Sequence, residues 1–173
     1  MARKWLILGI VIALTLGVDQ LTKRLVLAEL DFGETAQPIP ALVPLFQITL
    51  SYNTGAAFGF LPQAGDIFLV IAVIVIIAMI IFYPRLPDSA RITRYGIGLV
   101  SGGALGNAVD RLDHGAVVDF IHYTIPGVIS NVSNLADHAI VFGVLLILIE
   151  SWRTEEPKPA ATAADAPEEP NSP

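Results

Sequence analysis

Residues 67–83 read IFLVIAVIVIIAMIIFY, a stretch without a single charged side chain. As a helix, a stretch of this length can cross a hydrocarbon layer about 30 Å thick. The whole chain has the same character, since 54% of its 173 residues are hydrophobic and only 15% are charged. A soluble protein usually carries about 25% charged residues. The sequence therefore predicts a protein whose apolar side chains face lipid.

Three further apolar stretches flank this segment, and together they predict an all-α membrane protein with four transmembrane helices. The spans are expected at about residues 5–27, 67–83, 95–112 and 136–152. Because cytoplasmic loops carry an excess of Lys and Arg, both termini and the 84–94 link are expected in the cytoplasm, and segments 28–66 and 113–135 outside it. The basic residues that set this orientation are Arg3, Lys4, Arg85, Arg91, Arg94, Arg153 and Lys158.

The two ends of the chain need separate interpretation. The first span has the charged start of a cleavable signal peptide, but it runs into Asp19 and Gln20 without a cleavage site, so retention is favoured. Residues 154–173 are rich in Pro, Ala and Glu and contain no aromatic residue, which is typical of a disordered tail. We expect one membrane domain at 1–153 and a cytoplasmic tail at 154–173.

The residue content excludes several kinds of chemistry. The chain has no cysteine, which excludes disulfides, thiolate metal sites, a cysteine nucleophile and lipid attachment to the chain itself. It has no basic stripe for nucleic acid, no His-Glu-x-x-His zinc motif and no Gly-x-Ser-x-Gly motif. His114, His122 and His138 match no standard metal spacing, so neither a metal nor a cofactor is predicted.

Three of the expected spans carry a carboxylate at a similar height. With a rise of 1.5 Å per residue, Asp19, Asp110 and Asp137 lie roughly 22 Å from the cytoplasmic ends of their spans. Ionisable groups inside a membrane are costly, so a shared layer of them indicates a site. Snorkelling to water is the alternative, but it suits long Lys and Arg side chains better. The third span also has a ridge that predicts a close helix contact: Gly98, Gly102 and Gly106.

The carboxylates differ in their sequence neighbours. Asp19 and Lys23 are spaced i, i+4 and predict an ion pair, and Asp110 is expected to pair with the following arginine or across helices. Asp119 lies in an apolar, β-branched segment that predicts a short extended stretch, and Asp137 opens the fourth helix. If the fold brings Asp119 and Asp137 together, they will share one proton, as in an aspartic protease. For Asp137 alone, a helix N-cap is the simpler alternative.

Five motifs occur in order along the chain: DQLTK at 19–23, NTGAAFG at 53–59, GNAVDR at 106–111, VVDFI at 117–121 and NLAD at 134–137. Together with the predicted topology, they resemble the lipoprotein signal peptidases, also called signal peptidase II or prolipoprotein signal peptidase. The resemblance implies an aspartic endopeptidase of the bacterial inner membrane, with Asp119 and Asp137 as its catalytic dyad near the outer face. It implies eight further residues that bind substrate or support the site: Asp19, Lys23, Asn53, Gly55, Asn107, Asp110, Arg111 and Asn134.

The resemblance also implies the substrate and partners. The enzyme would cleave prolipoproteins immediately before a cysteine that carries diacylglyceryl, within membrane lipid, as a monomer and without nucleic acid. The chain departs from the family pattern at Ser133, where an aromatic residue is more usual, and at His138, where a small or polar residue is more usual. Both lie close to Asp137, so any difference in packing is expected there.

The outer loops contain a further pattern. Residues 46–52 alternate apolar and polar side chains, which predicts a half-exposed strand. Such a strand would contribute to a small extracytoplasmic β-sheet and loop cradle for the polar linker of the substrate. Residues 58–60 would form a mobile lid over it, or else anchor the loop in the membrane through Phe58 and Phe60.

A rival function is a small proton-coupled transporter or channel subunit that uses the aspartates as its relay. A relay should bridge both leaflets. The inner halves of the spans are expected to lack acidic residues that would continue the path inward, which disfavours transport.

Overall fold

The computed structural model describes residues 2–55 and 65–154, and these form four helices and one antiparallel sheet. The helices are α1 (Ala2–Glu29), α2 (Gly65–Phe82), α3 (Arg91–His114) and α4 (Leu135–Thr154). Helices α1, α3 and α4 cover the apolar stretches from which they were predicted, and α2 ends one residue before the end of the stretch at 67–83. Residues 56–64 and 155–173 lie outside the described residues, and with them the predicted lid at 58–60 and nearly all of the predicted tail.

Among the described residues, three helices are long and apolar enough to cross a membrane: Ala2–Glu29, Ile67–Arg85 and Leu135–Arg153. The second of these extends α2 by a short 3-10 turn, Tyr83–Arg85. Helix α3 is not one of the three, because glycines and polar residues interrupt its apolar sequence. The prediction of a fourth span therefore stays a prediction.

Helix α3 lies between the other helices and contacts all three of them. The predicted glycine ridge faces α1, where a Cβ at Gly98 would lie 2.6 Å from Cγ1 of Val11. A Cβ at Gly102 would lie 2.6 Å from Cβ of Thr15, one turn further along. Since real Cβ atoms essentially never come this close, these positions require glycine. The predicted close helix contact is confirmed, and α1 is the partner.

A second set of small residues, which sequence reasoning missed, joins α3 to α4. A Cβ at Gly96 would lie 2.6 Å from the carbonyl oxygen of Gly143, and a Cβ at Gly143 would lie 2.6 Å from the carbonyl oxygen of Gly96. The two backbones therefore touch directly. Gly103 makes the same kind of approach to the backbone of Ala136 near the start of α4. Helix α3 thus carries glycine contacts toward both neighbours.

Helix α2 lies at the periphery of the bundle. Its apolar side chains are largely exposed in the isolated chain, for example Ile67 at 61% and Ile74 at 59%. This fits the prediction of a lipid-facing helix, because an apolar surface without a protein neighbour requires an apolar solvent. At its end, the hydroxyl of buried Tyr83 donates to the carbonyl of Lys4 over 2.7 Å and fixes the 3-10 turn against α1.

The sheet consists of β1 (Thr35–Ala36), β2 (Phe46–Asn53), β3 (Val117–Ile125) and β4 (Ile129–Ser133), in the order β1-β2-β3-β4. The strand predicted at 46–52 and the extended stretch predicted around Asp119 are confirmed as β2 and β3. Strands β1 and β4 were not predicted. Strand β2 pairs with β3 so that Ser51 lies opposite Asp119, which brings the end of β2 beside that carboxylate.

Candidate active site

Asp119 lies on β3, one of the two inner strands of the sheet, and is only 3% exposed. Its two oxygens accept from different carboxamides, Oδ2 from Nδ2 of Asn53 over 3.0 Å and Oδ1 from Nδ2 of Asn134 over 2.6 Å. Burial raises the pKa of Asp119 from 3.8 to about 7, and the nearby charge of Asp137 adds to the rise, while both amide hydrogen bonds oppose it. A carboxyl group with this pKa holds its proton about half of the time at neutral pH.

Asp137 lies in the first turn of α4 and is half-buried. Its Oδ1 accepts from Nδ2 of Asn107 over 2.7 Å, and its backbone N–H donates to Oδ1 of Asn134 over 2.9 Å. Asn134 therefore caps the helix, since a side-chain oxygen that accepts from the third helical N–H is the usual N-cap arrangement. The alternative that Asp137 itself is the cap is wrong, because Asn134 occupies the cap position.

Three carboxamides orient the two aspartates, and each has its own oxygen engaged. Because the oxygen of each amide accepts from an N–H or an ammonium group, its NH₂ is turned toward a carboxylate. The acceptor contacts are Asn53 Oδ1 with the N–H of Gly55 at 3.0 Å, Asn107 Oδ1 with Nζ of Lys23 at 3.1 Å, and Asn134 Oδ1 with the N–H of Asp137 at 2.9 Å. The orientation of every donor to the pair is thus fixed by a second contact.

A buried ion cluster lies beside the pair. Nζ of Lys23 is 2.8 Å from Oδ2 of Asp19 and 2.7 Å from Oδ2 of Asp110. The lysine side chain is 2% exposed, and the two carboxylates are similarly buried. The predicted pairing of Asp19 with Lys23 is confirmed. Asp110 pairs across helices with Lys23, which is one of the two alternatives that the sequence left open.

The same two carboxylates hold the backbone immediately before each aspartate of the pair. Oδ1 of Asp19 accepts from the N–H of Ala136 over 2.9 Å, and Oδ2 of Asp110 accepts from the N–H of Val118 over 3.0 Å. Residues 136 and 118 directly precede Asp137 and Asp119. The ion cluster therefore ties α1, α3, β3 and α4 together at the point where the two acids are presented.

Gln20 also belongs to this cluster, although sequence reasoning gave it no role. Its Nε2 donates to Oδ1 of Asp110 over 2.8 Å and lies 3.2 Å from the carbonyl oxygen of Gly106. The signal was present in the sequence, because Gln20 lies within the DQLTK motif directly after Asp19.

Arg111 is half-buried beside the pair. One terminal nitrogen donates to the carbonyl oxygen of Gly55 over 3.3 Å, and the guanidinium lies 5.7 Å from the ring centre of Phe68. Its Nε has no hydrogen-bond partner among the described residues. Arg111 thus joins α3 to the end of β2 and retains a donor next to the aspartates.

Two cavities meet at Asp137. A small one, of about 140 Å³, contains Arg111 in its wall. Its other lining residues are Asn53, Gly55, Phe68, Asn107, Val117 and Asp137. A larger apolar groove of about 800 Å³ follows α4 on the other side of Asp137, between residues such as Tyr123, Ile140 and Phe142. Asp137 therefore lines both a small cavity and a larger apolar groove.

Ser133 and His138, the two departures from the family pattern near Asp137, make hydrogen bonds with neighbouring strands and with the start of α4. Exposed His138 accepts or donates at both ring nitrogens, with Nδ1 2.6 Å from the carbonyl oxygen of Asn134 and Nε2 3.0 Å from the hydroxyl of Tyr123. Ser133 is buried, and its hydroxyl lies 3.5 Å from the carbonyl oxygen of Ile121. Neither side chain bonds to a carboxylate of the pair.

One sequence expectation about acidic residues is wrong. The inner half of the fourth span does contain an acid, Glu150, whose oxygens accept from the backbone N–H groups of Ile92 and Thr93 over 3.2 and 2.6 Å. Glu150 thus supports the start of α3. Over residues 2–55 and 65–154, the structure contains no group of three or more His, Asp or Glu side chains that could hold a metal ion.

Similarity to known proteins shows the family to which this chain belongs. Residues 11–153 match the family described as Signal peptidase (SPase) II. The chain belongs to the signal peptidase II family. It is therefore an aspartic peptidase and a multi-pass membrane protein, which confirms the function predicted from the five motifs. Membership in this family also favours the peptidase over the transporter as the function.

Relatives and solved structures agree with the family. The lipoprotein signal peptidase of Pelotomaculum thermopropionicum is 44% identical over 140 residues, which cover 81% of this chain and 88% of the relative. That of Bacillus subtilis is 38% identical, with 79% of this chain and 87% of the relative covered. A solved bacterial membrane enzyme is similar in fold, with a TM-score of 0.75 and 30% identity over 88% of this chain and 93% of that one.

Proposed function

We propose that Asp119 and Asp137 are the catalytic dyad of this signal peptidase II. We further propose that it cleaves prolipoproteins immediately before a cysteine that carries diacylglyceryl. One observation carries the proposal: Asn134 donates to the carboxylate of Asp119 and accepts from the backbone N–H of Asp137, and the nearby charge of Asp137 helps to raise the pKa of Asp119 to about 7. Such a pair can hold one proton between two carboxylates at the pH of the cell, which is the state that aspartic proteolysis requires.

The proposed reaction uses one acid in each protonation state. The ionised carboxylate takes a proton from water, whose oxygen attacks the scissile carbonyl carbon, while the protonated carboxyl group donates a hydrogen bond to the carbonyl oxygen. The tetrahedral intermediate then collapses, the C–N bond breaks, and the leaving amine takes the proton that the first carboxylate removed from water, which leaves one proton on the pair again. Since the two acids titrate as a pair, the single proton belongs to both of them rather than to one.

The surrounding residues have supporting roles in this proposal. Asn53, Asn107 and Asn134 fix the orientation of the carboxylates, and the cluster of Asp19, Lys23 and Asp110 holds the backbone before each of them. Arg111 and Gly55 bound the small cavity beside Asp137, where the guanidinium of Arg111 can donate to a peptide carbonyl of the substrate. Rigid positioning of this kind is what a catalytic constellation needs.

We propose that α3 is a fourth span, that both termini are cytoplasmic, and that the sheet forms an extracytoplasmic cradle. Support comes from α3 itself, whose Asp110 is neutralised by Lys23 inside the bundle and whose glycines bring it into direct contact with two apolar helices. The apolar groove beside Asp137 suits the acyl chains and signal peptide of a substrate that enters from lipid. In this proposal, the dyad lies near the outer face of the inner membrane.

We propose that a single chain is the active unit and that membrane lipid is its only other partner besides the substrate. All residues assigned to the dyad and its support come from one chain, which needs no second copy to complete the site. Residues 1–153 form the peptidase domain in this proposal, and 154–173 form a disordered cytoplasmic tail. The match to the family ends at residue 153, which supports that boundary.

The function is tested with purified enzyme and two forms of one precursor. The precursors are identical in sequence, and only one carries diacylglyceryl on the cysteine after the signal peptide. We expect cleavage of the lipid-modified form alone, at the bond before the cysteine, as read by mass spectrometry of the released peptide. Equal cleavage of both forms, or cleavage at another bond, would refute the proposed substrate.

A further inference from the structure

The opposite end of the helix bundle contains a basic cavity that the peptidase reaction does not use. It has a volume of about 400 Å³ and lies between the start of α1, the start of α3 and the loop before α3. Four cationic side chains and one carboxylate line it, together with one aliphatic and one phenolic side chain: Arg3, Lys4, Arg91, Arg94, Asp88, Ile7 and Tyr95. Tyr95 precedes Asp110 by fifteen residues of α3, so the cavity is about 22 Å along the bundle from the ion cluster beside the dyad.

Arg94 is the cation of this cavity that hydrogen bonds hold in place. It is 8% exposed, and its terminal nitrogens donate to the backbone carbonyl oxygens of Asp88, Leu86 and Pro87 over 3.1, 3.3 and 2.6 Å. Its Nε is buried and has no hydrogen-bond partner among the described residues. A guanidinium held in place in the cavity wall is well suited to a phosphate group, because Arg binds phosphate with charge-assisted hydrogen bonds.

The other charges around the cavity leave an excess of positive charge. Lys4 pairs with Asp88, which also lies 3.7 Å from Arg94, and Glu150 accepts two backbone N–H groups in the first turn of α3. No acidic side chain occupies that first turn, and no side chain of residue 90 caps it. Glu150 of α4 supplies the acidic group at the start of α3, and the four cations still outnumber the carboxylates of Asp88 and Glu150.

The surroundings place this cavity at the depth of lipid headgroups. Trp5 and Tyr95, which are 41% and 47% exposed, lie at the same end of their helices, and such aromatic residues concentrate at membrane interfaces. From the cavity, α1 continues into the membrane with exposed apolar side chains, Leu6 at 63% and Ile10 at 48%. A ligand with a phosphate and acyl chains matches both parts of this surface.

We propose that this cavity binds the phosphate headgroup of an anionic phospholipid from the leaflet at that end of the bundle, with Arg3, Arg91 and Arg94 as its ligands. Basic pockets between transmembrane helices commonly take such headgroups. The acyl chains lie along the exposed face of α1. A free phosphate ion would satisfy the same arginines but would make no use of that apolar face.

The test measures lipid retention by native mass spectrometry of the full chain in detergent. Phosphatidylglycerol and phosphatidylcholine with the same acyl chains are supplied separately. R3Q/R91Q removes two exposed charges from the cavity, and R85Q/R153Q removes two exposed charges from the same end of the bundle but outside the cavity. We expect preferential retention of one phosphatidylglycerol by the unmodified chain, about tenfold weaker retention by R3Q/R91Q, and no change in R85Q/R153Q.

Because the cavity is far from the dyad, the cleavage rate and the melting temperature both serve as checks that the variants fold. R3Q/R91Q should keep the melting temperature of the lipid-free protein and its cleavage rate in detergent, and the single variant R91Q replaces it if the pair does not fold. Equal retention of both lipids, or equal loss in both double variants, would overturn the proposal. Complete displacement of the lipid by millimolar inorganic phosphate would assign the cavity to a free anion instead, which also contradicts it.

Discussion

At Asp119, burial and hydrogen bonding act in opposite directions. Removal from water and the neighbouring charge of Asp137 disfavour the carboxylate, while Asn53 and Asn134 stabilise it, and the balance leaves the pKa of Asp119 at about 7. Near neutral pH, the carboxyl group of Asp119 is therefore ionised in some molecules and protonated in others. This property depends on the folded environment, since the amino acid alone has a pKa of 3.8.

The raised pKa of Asp119 predicts that folding stability falls with rising pH. A raised folded-state pKa means that its contribution to stability is fully present below about 3.8 and is lost as the pH rises through about 7. Between pH 4 and pH 8, the unmodified protein should lose up to about 4 kcal/mol of unfolding free energy through this group. Unfolding of Asp119→Asn in detergent should show a clearly smaller loss over the same range. Identical pH dependence in the two proteins would contradict the assignment.

Lys23 should be essential to stability, because it is the shared partner of two buried carboxylates. Lys23→Met leaves Asp19 and Asp110 without their cation, and loss of one partner of a buried ion pair typically costs about 3–5 kcal/mol. The matched control is Arg24→Met, since Arg24 is the adjacent, exposed cation on the same helix. Chemical denaturation in detergent measures both. A similar small effect in the two variants would show that the ion cluster does not hold the fold together.

Residue-scale features were predictable where the contact is local. The i, i+4 spacing was enough to predict the ion pair of Asp19 with Lys23, whereas the choice of Lys23 as the partner of Asp110 depended on helix packing. The orientation of the three carboxamides was not predictable, because each amide bridges groups that lie far apart in the sequence. Asn53, for example, reaches Asp119 across 66 residues.

At the scale of elements, glycine determines how closely the helices of the bundle approach. Gly102→Ala should destabilise the protein by about 1–3 kcal/mol, because the new Cβ would lie 2.6 Å from Cβ of Thr15. Gly17→Ala is the matched control, since a Cβ there meets nothing within 4 Å and alanine is the better helix former by about 1 kcal/mol. Thermal unfolding of both variants makes the comparison. Equal stability of the two would rule out a tight contact between α1 and α3.

The sequence predicted all four helices but only two of the four strands. Long apolar stretches predicted all four helices, because hydrophobic composition and length carry that signal by themselves. Strand β1 has only two residues and is defined by its pairing with β2, so no local pattern could indicate it. Strand β4 had an overlooked signal in Pro126-Gly127, a turn dipeptide whose glycine has φ 74° between β3 and β4.

At the scale of the whole molecule, α3 packs among apolar helices although its own sequence contains many glycines and polar residues. Its polar residues find partners inside the bundle, so low hydropathy does not prevent it from lying among apolar helices. The four-span arrangement predicts that residue 88 and residue 128 lie on opposite sides of the membrane. The native chain has no cysteine, so single cysteines can report on this directly.

The topology prediction uses the variants Asp88→Cys and Val128→Cys, both at exposed positions. In intact cells with a permeable outer membrane, an impermeant thiol reagent should label the cysteine at 128 at once and the cysteine at 88 only after lysis. Crossing of the membrane by α3 requires this difference. Labelling of both positions from the same side would show that α3 does not span.

The family assignment and the dyad illustrate what the entire sequence could provide. Five short motifs in order identified the peptidase, although each motif alone is weak. The meeting of β3 and α4 at Asn134, which turns two separate acids into one site, required the folded chain. The sequence indicated that Asp119 and Asp137 must meet to act together, but it did not show that they do.

The most direct measurement is cleavage of a diacylglyceryl-modified precursor by Asp119→Asn and Asp137→Asn, with Asp113→Asn as an exposed acidic control. Each dyad variant should lose cleavage by about a thousandfold or more, because neither amide can exchange a proton with water or carbonyl, while Asp113→Asn keeps the normal rate. Melting curves confirm that all three fold. Cleavage at the unmodified rate by either dyad variant would contradict a two-aspartate mechanism.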